Sequence, residues 1–171
     1  RLVGSEMCIR DSNNAFGYAA LGANTTGQKN VAIGLNALAG NTTGDDNVAV
    51  GNGALFTNTT ADNNTAVGKN ALTLNTTGTG HVAVGYGALA SSTTDTGNTA
   101  LGYNALTAHT TSGGGYNVAI GGNALDANVS GARNIAIGYD ALGTMTSNTN
   151  NQTQNIAIGH DAGNTIGSGT D

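Results

Sequence analysis

From Asn13 onward the chain repeats one short pattern of apolar and polar positions: an apolar or β-branched residue, an alanine, a large apolar residue, then a glycine. The glycines are Gly17, Gly34, Gly51, Gly68, Gly85, Gly102, Gly121, Gly138 and Gly159, spaced 17 residues apart except for one step of 19 and one of 21. Self-similarity at a short fixed period marks a solenoid, in which each unit stacks on the last. The alanines are Ala15, Ala32, Ala49, Ala66, Ala83, Ala100, Ala119, Ala136 and Ala157. Around them stand Val31, Ile33, Val48, Val50, Val67, Val82, Val84, Leu101, Val118, Ile120, Ile135, Ile137, Ile156 and Ile158, with Thr65, Thr99 and Phe16 as variants. Each run reads as a short strand. Strand side chains alternate between faces, so the alanines fit a tight interior and the larger residues point the other way. A strand apolar on both faces is covered on both. The larger residues are therefore candidates for a lateral interface between chains.

Two further features recur in register. Ala-Leu pairs follow the glycine, from Ala37-Leu38 to Ala141-Leu142, until Ala162-Gly163 breaks the series. Four residues before the glycine stands asparagine: Asn13, Asn30, Asn47, Asn64, Asn98, Asn117, Asn134 and Asn155, with His81 the exception. Stacked asparagines form hydrogen-bonded ladders and suit a turn entering a strand, so they and the repeated glycines are expected to be structural. A second polar element, Asn24-Thr25-Thr26 and its successors, varies to Ser92-Thr93-Thr94 and His109-Thr110-Thr111. The longer steps fall just after it, around Gly113 to Tyr116 and Asn148 to Gln154, which marks that edge as a solvent-facing loop.

Composition narrows the function. The chain has 171 residues, 28 glycines, no proline or tryptophan and 9% charged residues, a poor recipe for an ordinary globular core. The net charge of −5 is spread thinly, which argues against nucleic acid and anionic membranes as partners. No apolar stretch is long enough to span a bilayer. Residues 1–12 stand apart: they contain two of the five basic residues and the single cysteine, Cys8, and resemble translated sequencing-adapter segments. Residues 1–12 are accordingly expected to be a foreign leader and 13–171 a single repeat domain, both ends of the chain reading as cuts.

Candidate chemistry is sparse. Catalysis brings unlike residues together, whereas a repeat presents the same few types, so no enzyme and no cofactor or metal are expected. Lys29, Asp46 and Arg133 occupy one variable position and read as a solvated face. His81, His109 and His160 sit at three different unit positions, without zinc-ligand spacing. Gly51-Asn52-Gly53 and Gly85-Tyr86-Gly87 lack the third glycine of a dinucleotide fingerprint. In them, Gly53 and Gly87 stand where other units have Asn36, Asn70 and Asn104. The Asn-x-Thr triplets are formal glycosylation acceptors.

The strings Asn30-Val31-Ala32-Ile33-Gly34, Asn117-Val118-Ala119-Ile120-Gly121, Asn134-Ile135-Ala136-Ile137-Gly138 and Asn155-Ile156-Ala157-Ile158-Gly159 carry a resemblance over Asn13 to Gly163. They resemble the head repeats of YadA-like trimeric autotransporter adhesins and the related repeats of bacterial and phage tail fibres. The resemblance implies an all-β, left-handed parallel β-roll of about nine stacked 17-residue coils. It also implies a side-by-side homotrimer on a cell surface or virion, attaching to a surface ligand such as a matrix protein or glycan. Two alternatives stand beside this reading: an ice-binding solenoid using the threonine ranks, and a passive fibre spacer or tail-fibre shaft.

Overall fold

A computed structural model of the chain describes residues 12–110, 115–145 and 154–164. Among them are nine three-residue strands: β1 (Asn14–Phe16), β2 (Val31–Ile33), β3 (Val48–Val50), β4 (Thr65–Val67), β5 (Val82–Val84), β6 (Thr99–Leu101), β7 (Val118–Ile120), β8 (Ile135–Ile137) and β9 (Ile156–Ile158). Each pairs in parallel with the next, so sheet order equals chain order. The protein is an all-β parallel solenoid, and the stacked-coil expectation is met.

Register is constant. Alanine lies beside alanine at every step, as in Ala32↔Ala49 and Ala83↔Ala100. It stays so where partners are 19 or 21 residues apart, at Ala100↔Ala119 and Ala136↔Ala157. The longer steps therefore leave the strand register unchanged. Residues 111–114 and 146–153 of these coils, and 1–11 of the expected leader, lie outside the described residues. Ser12 has a φ of 52°, close to the 56° of Lys29, so it takes the same backbone course as the residue before the next asparagine.

The interior is thin and made mostly of small groups. The strand alanines from Ala32 to Ala136 are fully buried, as are the Ala-Leu pairs from Ala37-Leu38 to Ala141-Leu142. These leucines share an uncommon backbone: Leu38, Leu72 and Leu142 have φ of 50°, 51° and 51°. An L-residue in this left-handed region loses about 1–2 kcal/mol to steric crowding. Burying a leucine side chain returns roughly 1.5–3 kcal/mol, which offsets it. The conformation also points each leucine N–H up the stack, Leu38 to Ala54 O at 3.0 Å and Leu72 to Ala88 O at 3.0 Å. Gly163 occupies the equivalent place in the last unit with φ 64°, so the chain keeps its course there without the side chain.

The repeated glycine is required twice over. Gly34 has φ 132°, and a Cβ on it would stand 2.6 Å from the carbonyl oxygen of Gly51 in the next coil. Left-handed backbone also explains why glycine and asparagine exchange two residues further on: Asn36, Asn70 and Asn104 have φ of 51–60°, and Gly53 and Gly87 have 68° and 65°. Those are the two residue types that tolerate this region best.

Candidate functional site

Two regions stand out, one on the surface and one inside. On the surface, the residues flanking the strand alanines form a stripe along the sheet. Val31, Val48, Val50, Val67, Val84, Val118, Ile120, Ile135 and Ile137 are half-buried by the coils above and below. Ile33, Val82, Leu101, Ile156 and Ile158 are exposed, from 41% at Val82 to 70% at Ile156. Beside this stripe runs an aromatic row that sequence reasoning missed. Tyr86 stacks on Tyr103 with centroids 5.4 Å apart, and Tyr139 stacks on His160 at 5.5 Å. Lys69 Nζ lies 5.9 Å from the Tyr86 centroid. The signal was available, since Tyr18, Tyr86, Tyr103 and Tyr139 each directly follow the repeated glycine.

Inside the coil run two buried polar ladders. In the first, each asparagine Oδ1 accepts the backbone N–H of its counterpart one coil on: Asn47 N donates to Asn30 Oδ1 at 2.9 Å, and Asn64 N to Asn47 Oδ1 at 3.0 Å. Its Nδ2 donates across the coil to a carbonyl 14 residues later, Asn30 to Gly44 O at 2.8 Å and Asn47 to Ala61 O at 2.8 Å. Asn98, Asn117, Asn134 and Asn155 continue the series through the longer coils.

The second ladder is built from the asparagines of the Asn-Thr-Thr element, which lie inside the coil. Asn41, Asn58 and Asn75 are fully buried, and Asn41 and Asn58 each donate to the same carbonyl that the first ladder uses, Gly44 O and Ala61 O, both at 3.0 Å. Asn58 Nδ2 also reaches Asn41 Oδ1 at 2.8 Å. The physical reason is that one carbonyl offers two lone pairs, so an inward-turned carbonyl satisfies an amide from each side. Burial also hides these asparagines from any glycosylating enzyme in the folded chain. Of the two threonine ranks, the first is bound into the stack, with Thr25 Oγ1 donating to Thr42 O at 2.8 Å and Thr42 Oγ1 to Thr59 O at 2.9 Å. Thr26, Thr43, Thr60, Thr77 and Thr94 remain as an exposed rank. Thr111 lies outside the described residues.

The expectation of exposed, scattered titratable groups holds at Lys29, Asp46 and Arg133 and fails at one level of the core. His81 replaces an asparagine of the first ladder, His109 one of the second, and Ser92 another of the second; all three are buried. Asp95 stands where other coils have Gly27, Gly44, Ala61 or Gly78, and its carboxylate turns inward. Ser92 Oγ and Asn98 Nδ2 both donate to that carboxylate. His109 Nε2 lies 2.9 Å from Asp95 Oδ2, although neither of its ring nitrogens is aligned for a hydrogen bond. Burial pushes the His81 imidazole below its ordinary value and outweighs the opposing pull of Asp95. Burial pushes the Asp95 carboxyl up, but His109, Ser92 and His81 around it together hold it below its ordinary value. Different unit positions thus did not keep two histidines apart, because the coil folds back on itself within one turn.

Among the described residues no group of three or more histidine, cysteine, aspartate or glutamate side chains is arranged to hold a metal ion. Nor is any helix among them long and apolar enough to cross a membrane. Set against known proteins, the chain matches no family model, no curated protein and no solved structure.

Proposed function

We propose that this solenoid is a structural and adhesive segment of a surface-exposed fibre, in which three chains pack side by side through their outward sheet faces. In this reading the exposed edges of the trimer meet a surface ligand such as a matrix protein or glycan. The observation that carries it is the valine, isoleucine and leucine stripe, which runs the length of the sheet while the interior is already closed by alanine and leucine. Contiguous apolar surface of this kind is characteristic of interfaces, and a repeat confronts each copy with the same face at every level. The resemblance to YadA-like head repeats points to the same assembly and to an extracellular setting.

Sedimentation of the purified segment tests the assembly. A trimer is expected, and Val50→Asp with Ile120→Asp is expected to release monomers that keep their β circular dichroism. A wild-type segment that sediments as a well-folded monomer removes the assembly. Binding to immobilised glycans and matrix proteins then tests attachment; a trimer that binds none is a fibre shaft. The ice-binding alternative has a narrower base, since only the second threonine rank is exposed at every described level. No thermal hysteresis is expected, and clear hysteresis would replace the adhesin reading.

A further inference from the structure

At the regular levels the two ladders are neutral amides, which hold their hydrogen bonds at any ordinary pH. One junction is built differently. His81 reproduces the asparagine pattern with an imidazole: its Nδ1 accepts the Asn98 N–H at 3.2 Å, and its Nε2 lies 3.0 Å from Asp95 O. Below it, His81 N donates to Asn64 Oδ1 at 2.9 Å, as an asparagine would. This pattern fixes the tautomer. The ring must be neutral, with its proton on Nε2 to donate to the Asp95 carbonyl and a lone pair on Nδ1 to accept from Asn98.

We propose that the buried His81, Asp95 and His109 cluster is an acid-sensitive joint in the stack. Protonating His81 removes the only acceptor that this rung offers to the Asn98 N–H, so the junction loosens under mildly acidic conditions while asparagine rungs hold.

The titratable groups facing His81 are Asp95, whose Oδ1 lies 3.9 Å from Nε2, and His109 on the far side of that carboxylate. Asn64 and Asn98, before and after it in the ladder, are neutral. Asp95 attracts a charged His81, but its carboxylate already accepts hydrogen bonds from Ser92 and Asn98, with His109 Nε2 2.9 Å away. His109, through its charge interaction with His81, also favours the neutral His81 ring. Desolvation is the largest influence on His81 and favours the neutral ring. The direction of the effect follows. Because the closed form binds this proton more weakly than the open form, opening becomes easier as pH falls below the ordinary histidine value of 6.5. One such group changes the opening equilibrium by at most about tenfold per pH unit.

Site-resolved hydrogen exchange on the intact chain between pH 7.5 and 5, corrected for intrinsic rates, tests the joint. The Asn98 amide should lose protection faster than the Asn47 and Asn64 amides, by up to about tenfold per pH unit. His81→Asn, which restores an asparagine rung, should make Asn98 follow the others. Nitrogen chemical shifts of His81 should also show the neutral Nε2-protonated ring at pH 7. Parallel behaviour of the three amides in the wild-type chain overturns the proposal. So does an acid sensitivity that survives in His81→Asn, or a charged His81 ring at pH 7.

Discussion

Asn47 is the most informative residue to remove, because its buried side chain makes three hydrogen bonds that reach the coils before and after it. Its Oδ1 accepts Asn64 N–H at 3.0 Å, and its Nδ2 donates to Asn30 Oδ1 at 3.2 Å and Ala61 O at 2.8 Å. Asn47→Ala deletes all three while leaving their partners buried. The three losses are not equal. Ala61 O keeps the amide of Asn58 at 3.0 Å, and Asn30 Oδ1 keeps the Asn47 backbone N–H at 2.9 Å, so neither acceptor is orphaned. Asn64 N–H is left with nothing, and a buried unsatisfied donor costs about 1–3 kcal/mol. Adding the small net value of the other two bonds gives a loss of about 2–4 kcal/mol. The exposed Asn52, one residue past its glycine, supplies the control, since Asn52→Ala should stay within about 0.5 kcal/mol. Equilibrium urea unfolding followed by circular dichroism measures both, with hydrogen exchange at Asn64 reporting the local loss. A loss below about 1 kcal/mol for Asn47→Ala, or an Asn64 amide that remains fully protected, would refute the ladder account.

Further outcomes follow from particular residues. Gly51→Ala should be severely destabilising, because its φ is 138° and the new methyl would stand 2.5 Å from Gly68 O; thermal unfolding should show the loss, and a stability equal to wild type would contradict the stacking geometry. Burial, reinforced by the charge of Asp140, pushes the Asp126 carboxyl above its ordinary value. The folded chain therefore binds that proton more tightly than the unfolded one, and this residue's contribution rises as pH falls through the carboxylate range. Asp126→Asn should accordingly raise the melting temperature at pH 7, with a smaller gain at pH 4; an equal gain at both would dismiss the carboxylate as its cause.

The strands and their inward alanines were legible because Val-Ala-Ile-Gly and its variants carry period-two alternation, and because the period set what lies beside what. The stripe of larger residues followed from the same alternation. Other features were hidden for definite reasons. Nothing in Ala-Leu announces a left-handed leucine, since leucine ordinarily avoids that region; only its replacement by Gly163 hinted at it. The inward turn of Asn41 and Asn58 was masked by their threonine neighbours, which left the element polar throughout with no apolar residue to mark an inward face. The histidine cluster escaped because its members belong to different ladders, and sequence position alone does not reveal that both ladders converge on one carbonyl. The concerted departures at His81, Ser92, Asp95 and His109 were the available clue: residues that deviate together within neighbouring units are candidates for mutual contact.

The two longer coils show how this architecture separates support from novelty. Alanine still meets alanine after 19 or 21 residues, so the strand register absorbs steps two and four residues longer than the 17-residue period. A new recognition loop could be grown on a single tier without shifting any rung above or below it. Variation on such a rod is modular, each storey free to diversify while the shared column stays plumb.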